Sequence, residues 1–189
     1  KYNLKLIEDC SHSHGALFEN KKVGSFADIS CFSLQGSKAI KAGEGGIAIT
    51  DNQNYFFKMS IYGHFNRHSD EFKEIKDLNF FKDTGLSKKL RAHPLGITLA
   101  YTDFKNLEKL NKIKNKIYKK LEQIIEMYET LKIMKTNKNS VKGGFFGGFP
   151  IIFTNNNNIE LIQKIFNKFN FSLKKYPWLS HHKLKIYAT

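Results

Sequence analysis

The chain has 189 residues, enough for one full domain or parts of two, and its 41% hydrophobic and 14% aromatic content supplies the apolar surface a folded core needs, which excludes an intrinsically disordered polymer. No apolar run approaches the roughly 20 residues that cross a bilayer, and the opening KYNLKLIED carries acids where a secretory signal carries a cationic flank and an apolar block, so the sequence reads as soluble and cytoplasmic with no membrane partner. Lys and Arg number 31 against 17 Asp and Glu, a formal net charge of +14 that admits nucleic acid, an anionic membrane or a phosphorylated substrate as partner.

The lysines are dispersed through helical stretches such as Asn111 to Lys120 and are accompanied by asparagine, including the run Asn155 to Asn158. That is a whole-sequence bias, not a patch, and it argues against nucleic acid. Cys10 and Cys31 form no CxxC pair, so neither a disulfide framework nor a structural zinc site is indicated. His12, His14, His181 and His182 with Cys10 match no standard ligand spacing, and no metal is expected.

In chain order, Leu4-Lys5-Leu6-Ile7 alternates and ends in Glu8-Asp9, as a strand does when its carboxyl end delivers polar groups to a site. Asp28 to Leu34 and Gly46 to Thr50 repeat the strand pattern across a Gly/Lys/Ser-rich connection. A helix is expected between Asn52 and Gly63, then loop and short helix to about Lys89. Pro94 suits a first helical turn, and Leu95, Ile97, Leu99, Ala100, Leu107, Leu110, Ile113, Ile117, Leu121, Ile124, Ile125, Tyr128 and Leu131 recur by threes and fours, which predicts one long amphipathic helix. Gly143 to Phe153 reads as a glycine-punctuated strand followed by a helix from Ile159 to Phe169. The change of rhythm near Ile133 divides the chain into 1–132 and a smaller unit, 133–189, and the alternation of strands with helices makes the whole α/β.

The densest polar and glycine-rich segment is Ser33 to Gly46. A lysine just past a strand, beside Ser37 and ahead of Gly43, Gly45 and Gly46, suits two tasks: gripping phosphate or forming an imine with a carbonyl compound. The GxxxxGK[ST] order of a nucleotide-binding loop is absent. Imine chemistry with pyridoxal phosphate also needs a carboxylate to keep the pyridine nitrogen protonated, and Asp9 is placed to supply one. Plainer readings stand beside these: Lys38 as a surface loop lysine, Glu8 and Asp9 as the cap of a helix beginning after Cys10, and His12 as a packed, hydrogen-bonded side chain.

Taken together, IEDCSHSHGA, VGSFADISCFSLQGSKAIKAGEGGIAITDN and KLRAHPLGITLAYTDFKNLEKLN resemble, in order and spacing, the DegT/DnrJ/EryC1/StrS sugar aminotransferases, a group of fold type I pyridoxal-phosphate enzymes. The resemblance covers essentially the whole chain and corresponds to the C-terminal half of that family. It implies part of the large cofactor-binding domain, a mostly parallel sheet with helices and a long connecting helix over 1–132, followed by part of a small α+β C-terminal domain over 133–189. It makes Lys38 the Schiff-base lysine and catalytic base, Asp9 the partner of the pyridinium, Ser33 a ligand of the cofactor phosphate, and His12 the residue near the ring. It implies amino transfer from glutamate or glutamine to a nucleotide-linked keto sugar, for amino-sugar or surface-polysaccharide synthesis, by a homodimer. Dehydratase relatives replace the imine lysine by histidine, and Lys38 speaks against that branch. Lys89-Leu90-Arg91 stands where the family commonly has Asn-Tyr-Arg in a loop that reaches a neighbouring subunit's cofactor phosphate. A truncated copy acting as a binding module is the alternative, and strands lacking their sheet neighbours are expected to expose apolar edges and faces.

Overall fold

The computed structural model describes residues 2–64, 88–145, 147–154, 159–170 and 172–173. The first sheet is built from β1 (Ile7–Asp9), β4 (Ile29–Ser33) and β5 (Gly46–Ile49), in the order β1-β4-β5. β1 and β4 are parallel, and the chain between them forms a small hairpin of β2 (Leu17–Phe18) and β3 (Lys21–Lys22). β5 returns antiparallel to β4 because the segment joining them is a folded-back loop, not a crossover helix. All four residues of β5 are exposed, as is Ile7 of β1, so apolar surface on these strands is uncovered.

Helix α1 (Gln53–Gly63) starts where Asn52 accepts a hydrogen bond from the Tyr55 amide and buries Phe57 and Ile61. Helix α2 (Pro94–Ile125) opens on His93, whose Nδ1 accepts from the Leu95 amide, with Pro94 in the first turn. Its inward stripe is Gly96, Ala100, Leu107, Asn111, Tyr118 and Ile125. The helix ends at Ile125 and not near Leu131: the Met127 and Tyr128 amides tighten onto carbonyls three residues back, and Leu131 opens β6 (Leu131–Ile133). There the alternation of Leu131, Lys132 and Ile133 serves pairing with β8 (Ile151–Phe153).

The strand expected over Gly143 to Phe153 is confined to β8, because Gly144, Phe145, Gly147 and Gly148 all take positive φ and fold the chain into turns. Just before them, β7 (Ser140–Val141) reaches back to pair with β2. Tyr118, Ile125 and Ile133 form a core cluster against which Leu121, Leu131, Phe145, Phe149 and Ile151 pack. Helix α3 (Ile159–Lys168) buries none of its residues. No helix among the described residues is long and apolar enough to cross a membrane. The loop and short helix expected before Lys89 fall on residues 65–87, and the terminal KKYPWLSHHKLKIYAT on residues 174–189, outside the described residues.

Candidate active site

Parallel pairing sets Asp9 opposite Cys31, so the carboxyl ends of β1 and β4 emerge at the same end of the sheet. Strand alternation then splits the acidic pair between the two faces. Glu8 accepts from the Gly24 amide at 3.1 Å, the Phe26 amide at 3.4 Å and the Ser30 hydroxyl at 3.3 Å, pinning the turn after β3 onto β4. Asp9 is exposed and accepts from the Ser11 amide at 2.9 Å and the Ser11 hydroxyl. This is an Asx turn with no helix after Cys10, which corrects the capping alternative. The Ser11 hydroxyl and amide hold the Asp9 carboxyl below its ordinary range, with smaller help from His12 and Lys38, so it is a carboxylate at neutral pH.

β4 delivers Ser33, whose hydroxyl oxygen accepts from the Gln35 amide at 3.3 Å. The loop beyond is closed at its base by Leu34 N–H to the Gly45 carbonyl, Gly36 N–H to that of Gly43, and Ala42 N–H to that of Leu34, at 2.7–2.9 Å. At its tip the Lys38 amide donates to the Gln35 carbonyl at 2.9 Å, while the Gln35 side-chain oxygen takes the Ser37 amide and hydroxyl. Lys38 is thereby held in a tight turn and is only 9% exposed, unlike a surface loop lysine. Gly43 and Gly45 adopt φ of +86° and +124° with open space around them, so conformation and not crowding requires glycine there. Crowding acts instead at Gly96, where a Cβ would lie 2.4 Å from the Ala42 carbonyl. Asp103 adds to this clamp between loop and α2, accepting from the Lys41 amide at 3.1 Å and facing its ammonium at 3.6 Å.

The fold brings Lys38, Asp9 and His12 into one another's electrostatic field. His12 is exposed, and its pKa is lowered by partial burial and by the Lys38 charge, against the opposing pull of Asp9. His14, 2% exposed, packs its ring against Phe32 at 5.4 Å between centroids. Burial drives its pKa below the ordinary value, Lys38 and His12 push the same way, and neither ring nitrogen makes a well-formed hydrogen bond, although the nearby Ser33 carbonyl favours the protonated ring. Cys10, fully buried after β1, has its thiol pushed up to about 12, chiefly by burial, and is inert as a nucleophile.

Sequence reasoning missed the residue that fastens this loop from behind. Asn111 is buried on α2, donates to the His14 carbonyl at 2.9 Å and accepts from the Gly144 amide at 3.2 Å. The available signal was a polar residue on the apolar stripe of a helix. Beside this contact a cavity of about 330 Å³ is bordered by His12, Ala16, Phe18, Val23, Val141 and Phe145, among others; Asp9 and Lys38 do not line it. Arg91 directs its guanidinium to His64 Nε2, at 3.1 and 3.3 Å. Among the described residues no group of three or more His, Cys, Asp or Glu side chains is arranged to hold a metal.

A carboxylate held anionic, a lysine amine withdrawn from solvent and an imidazole, gathered where two parallel strands end, fit an aldehyde cofactor with a cationic ring nitrogen. The architecture is part of a fold type I aminotransferase domain: an aminotransferase, TlmJ, from Streptoalloteichus hindustanus superposes with a TM-score of 0.71 at 12% identity, over 97% of this chain and 47% of its own. An E. coli GDP-4-keto-6-deoxy-D-mannose-3-dehydratase with bound hydrated PLP gives a TM-score of 0.69 at 17% identity, over 89% of this chain and 45% of its own. The chain belongs to the DegT/DnrJ/EryC1/StrS aminotransferase family, whose model matches residues 1–189. It is 34% identical over 142 residues to the UDP-4-amino-4,6-dideoxy-N-acetyl-beta-L-altrosamine transaminase of Campylobacter jejuni, covering 74% of this chain and 36% of that protein. It is 50% identical over 59 residues, 31% of the chain, to the L-glutamine:2-deoxy-scyllo-inosose aminotransferase of Streptoalloteichus tenebrarius, covering 14% of that protein. The chain thus spans half or less of the length of the proteins it matches.

Proposed function

We propose that this chain carries the cofactor-anchoring half of a pyridoxal-phosphate-dependent sugar aminotransferase, moving an amino group from glutamate or glutamine to a nucleotide-linked keto sugar in amino-sugar or polysaccharide synthesis. The observation that carries this reading is the convergence of a buried Lys38 and an anionic Asp9 at one end of β1 and β4. Pyridoxal phosphate, when bound, supplies an electron sink for bond breaking at the carbon bearing the amino group. In this reading Lys38 Nζ would hold the cofactor aldehyde as an imine and, as a free amine, would serve as the base that moves the proton at the carbon bearing the amino group. The Asp9 carboxylate holds the proton on the ring nitrogen by its field. The Ser33 hydroxyl would donate to the cofactor phosphate, and His12 would lie near the ring. The lysine-rich surface favours the pyrophosphate of the substrate. Family sites shared between subunits support a homodimer, and the composition supports a cytoplasmic enzyme.

The test is borohydride reduction of the chain mixed with pyridoxal phosphate, followed by peptide mapping. Label on Lys38, absent from Lys38→Ala, is the expected result; label retained at another lysine in that variant refutes the assignment. The exposure of all four β5 residues favours a second reading, an inactive copy that serves as a binding module. Salt-sensitive retention on heparin without cofactor colour selects it.

A further inference from the structure

The Asp9 carboxyl is held through one of its two oxygens and by one neighbour. The Ser11 amide donates to Asp9 Oδ1 at 2.9 Å, and the Ser11 hydroxyl donates to the same atom. Among the described residues no donor meets Oδ2. An Asx turn is closed by the amide alone, so the hydroxyl is surplus to the turn. It makes no other hydrogen bond among the described residues, and Asp9 ends an exposed strand, so the contact ties no distant segments together. Glu8 beside it does the opposite: its carboxylate gathers the Gly24 and Phe26 amides and the Ser30 hydroxyl from the chain after β3 and from β4. Glu8 serves the fold, and the Ser11 hydroxyl serves Asp9.

We infer that Ser11 is a positioning residue for Asp9: by setting two donors on Oδ1 it fixes the rotation of the carboxylate and leaves Oδ2 as the oxygen available to the protonated ring nitrogen of pyridoxal phosphate. This rests on the aminotransferase reading above and adds a residue to it. The torsion that turns an aspartate carboxylate is broad and two-fold, so an untethered group at a strand end must be ordered when its partner arrives. Two donors on one oxygen set that order beforehand, and preorganisation of this kind adds affinity. Hydrogen bonds to the charged form also favour carboxylate over carboxylic acid, with smaller support from His12 and Lys38.

The experiment measures pyridoxal phosphate affinity by absorbance titration, with borohydride trapping and peptide mapping to locate the label, in wild type, Ser11→Ala, Ser11→Thr, Asp9→Ala and Asp9→Ala/Ser11→Ala. Ser11→Ala keeps the amide and loses the hydroxyl, and is expected to bind about fivefold more weakly, the range of one hydrogen bond. Ser11→Thr restores the hydroxyl and is expected to stay within about twofold of wild type. In the Asp9→Ala background the Ser11→Ala change is expected to alter nothing, because the oxygen it acts through is gone, whereas a packing role would persist there. Wild type labelled at Lys38 with Ser11→Ala binding as tightly, or an equal loss in both backgrounds, overturns the inference and leaves the aminotransferase reading standing. Wild type without label at Lys38 overturns that reading and the inference with it.

Discussion

The sheet β1-β4-β5 and the unit built from α2, β6 and β8 divide the work of the molecule unequally. The sheet and its loops position Asp9, Ser33 and Lys38, yet every residue of β5 is exposed and β1 buries little. The helix-backed unit buries Tyr118, Ile125 and Ile133 among aromatic and aliphatic neighbours and holds none of the candidate chemical groups. The candidate site is therefore placed by directional contacts, the β1–β4 ladder, the Ser11 turn on Asp9 and the Gln35 turn under Lys38, more than by a hydrophobic core around it. Core packing acts at a distance, through Asn111 and the α2 clamp on the lysine loop.

The sharpest test of that division is at the seam. A Cβ at Gly143 would stand 2.2 Å from the Ala16 amide nitrogen and 2.6 Å from the Gly15 carbonyl carbon, both backbone atoms that cannot swing aside. Gly143→Ala is expected to destabilise the chain by about 3 kcal/mol, as overpacking against backbone does; a urea midpoint near wild type would show that the two regions are not in register-dependent contact. Next in size, Ile133→Ala removes a buried side chain of the core cluster and is expected to cost about 2 kcal/mol, while Ile49→Ala, on the exposed strand β5, costs under about 0.5 kcal/mol. Equal losses in urea unfolding would erase the contrast between the regions.

The division also explains what was legible in the sequence. Strands β4 and β5 and the first turn of α2 were visible because each announces itself within a few residues, by alternation or by Pro94, whereas the alternating run Leu4 to Ile7 precedes the first strand, which pairs only over Ile7–Asp9. The pairing of Lys38 with Asp9 was legible from the need of imine chemistry for a carboxylate and from the family resemblance, but not from any local pattern, since 28 residues of intervening chain are oriented by a parallel register. The end of α2 was misplaced because Tyr128 and Leu131 continue the helical spacing, and only the β8 partner decides that Leu131 belongs to a strand. Asn111 escaped because hydropathy patterning treats a buried amide as a defect in the stripe, whereas here it satisfies two backbone groups from distant segments.

A smaller, pH-dependent effect separates the polar site from the core. The folded pKa of His14 lies below its ordinary value near 6.5, so the unfolded chain binds the proton more readily. Its contribution is complete above pH 6.5 and is lost as pH falls below it. His12 shifts in the same direction, whereas the lowered pKa of Asp9 makes its contribution disappear only in the acid range around and below 3.8. The urea midpoint is expected to be lower at pH 5 than at pH 7.5, and His14→Gln to flatten that difference even where it lowers both midpoints. An unaltered slope in His14→Gln would place the titration elsewhere.

The least effect is expected at the ion pair between the hairpin and α2. Lys22 and Glu108 form an ion pair at 3.0 Å that spans the same two segments as Asn111, but both side chains are mostly exposed. Water solvates each partner nearly as well as they solvate each other, and fixing two long side chains costs entropy, so the pair adds little. Lys22→Ala should leave the urea midpoint where it is, at low and at high salt, while Asn111→Ala lowers it measurably by stripping partners from the His14 carbonyl and the Gly144 amide. A salt-sensitive drop in Lys22→Ala, matching that of Asn111→Ala, would mean that surface charge, not the buried amide, fastens the hairpin to the long helix.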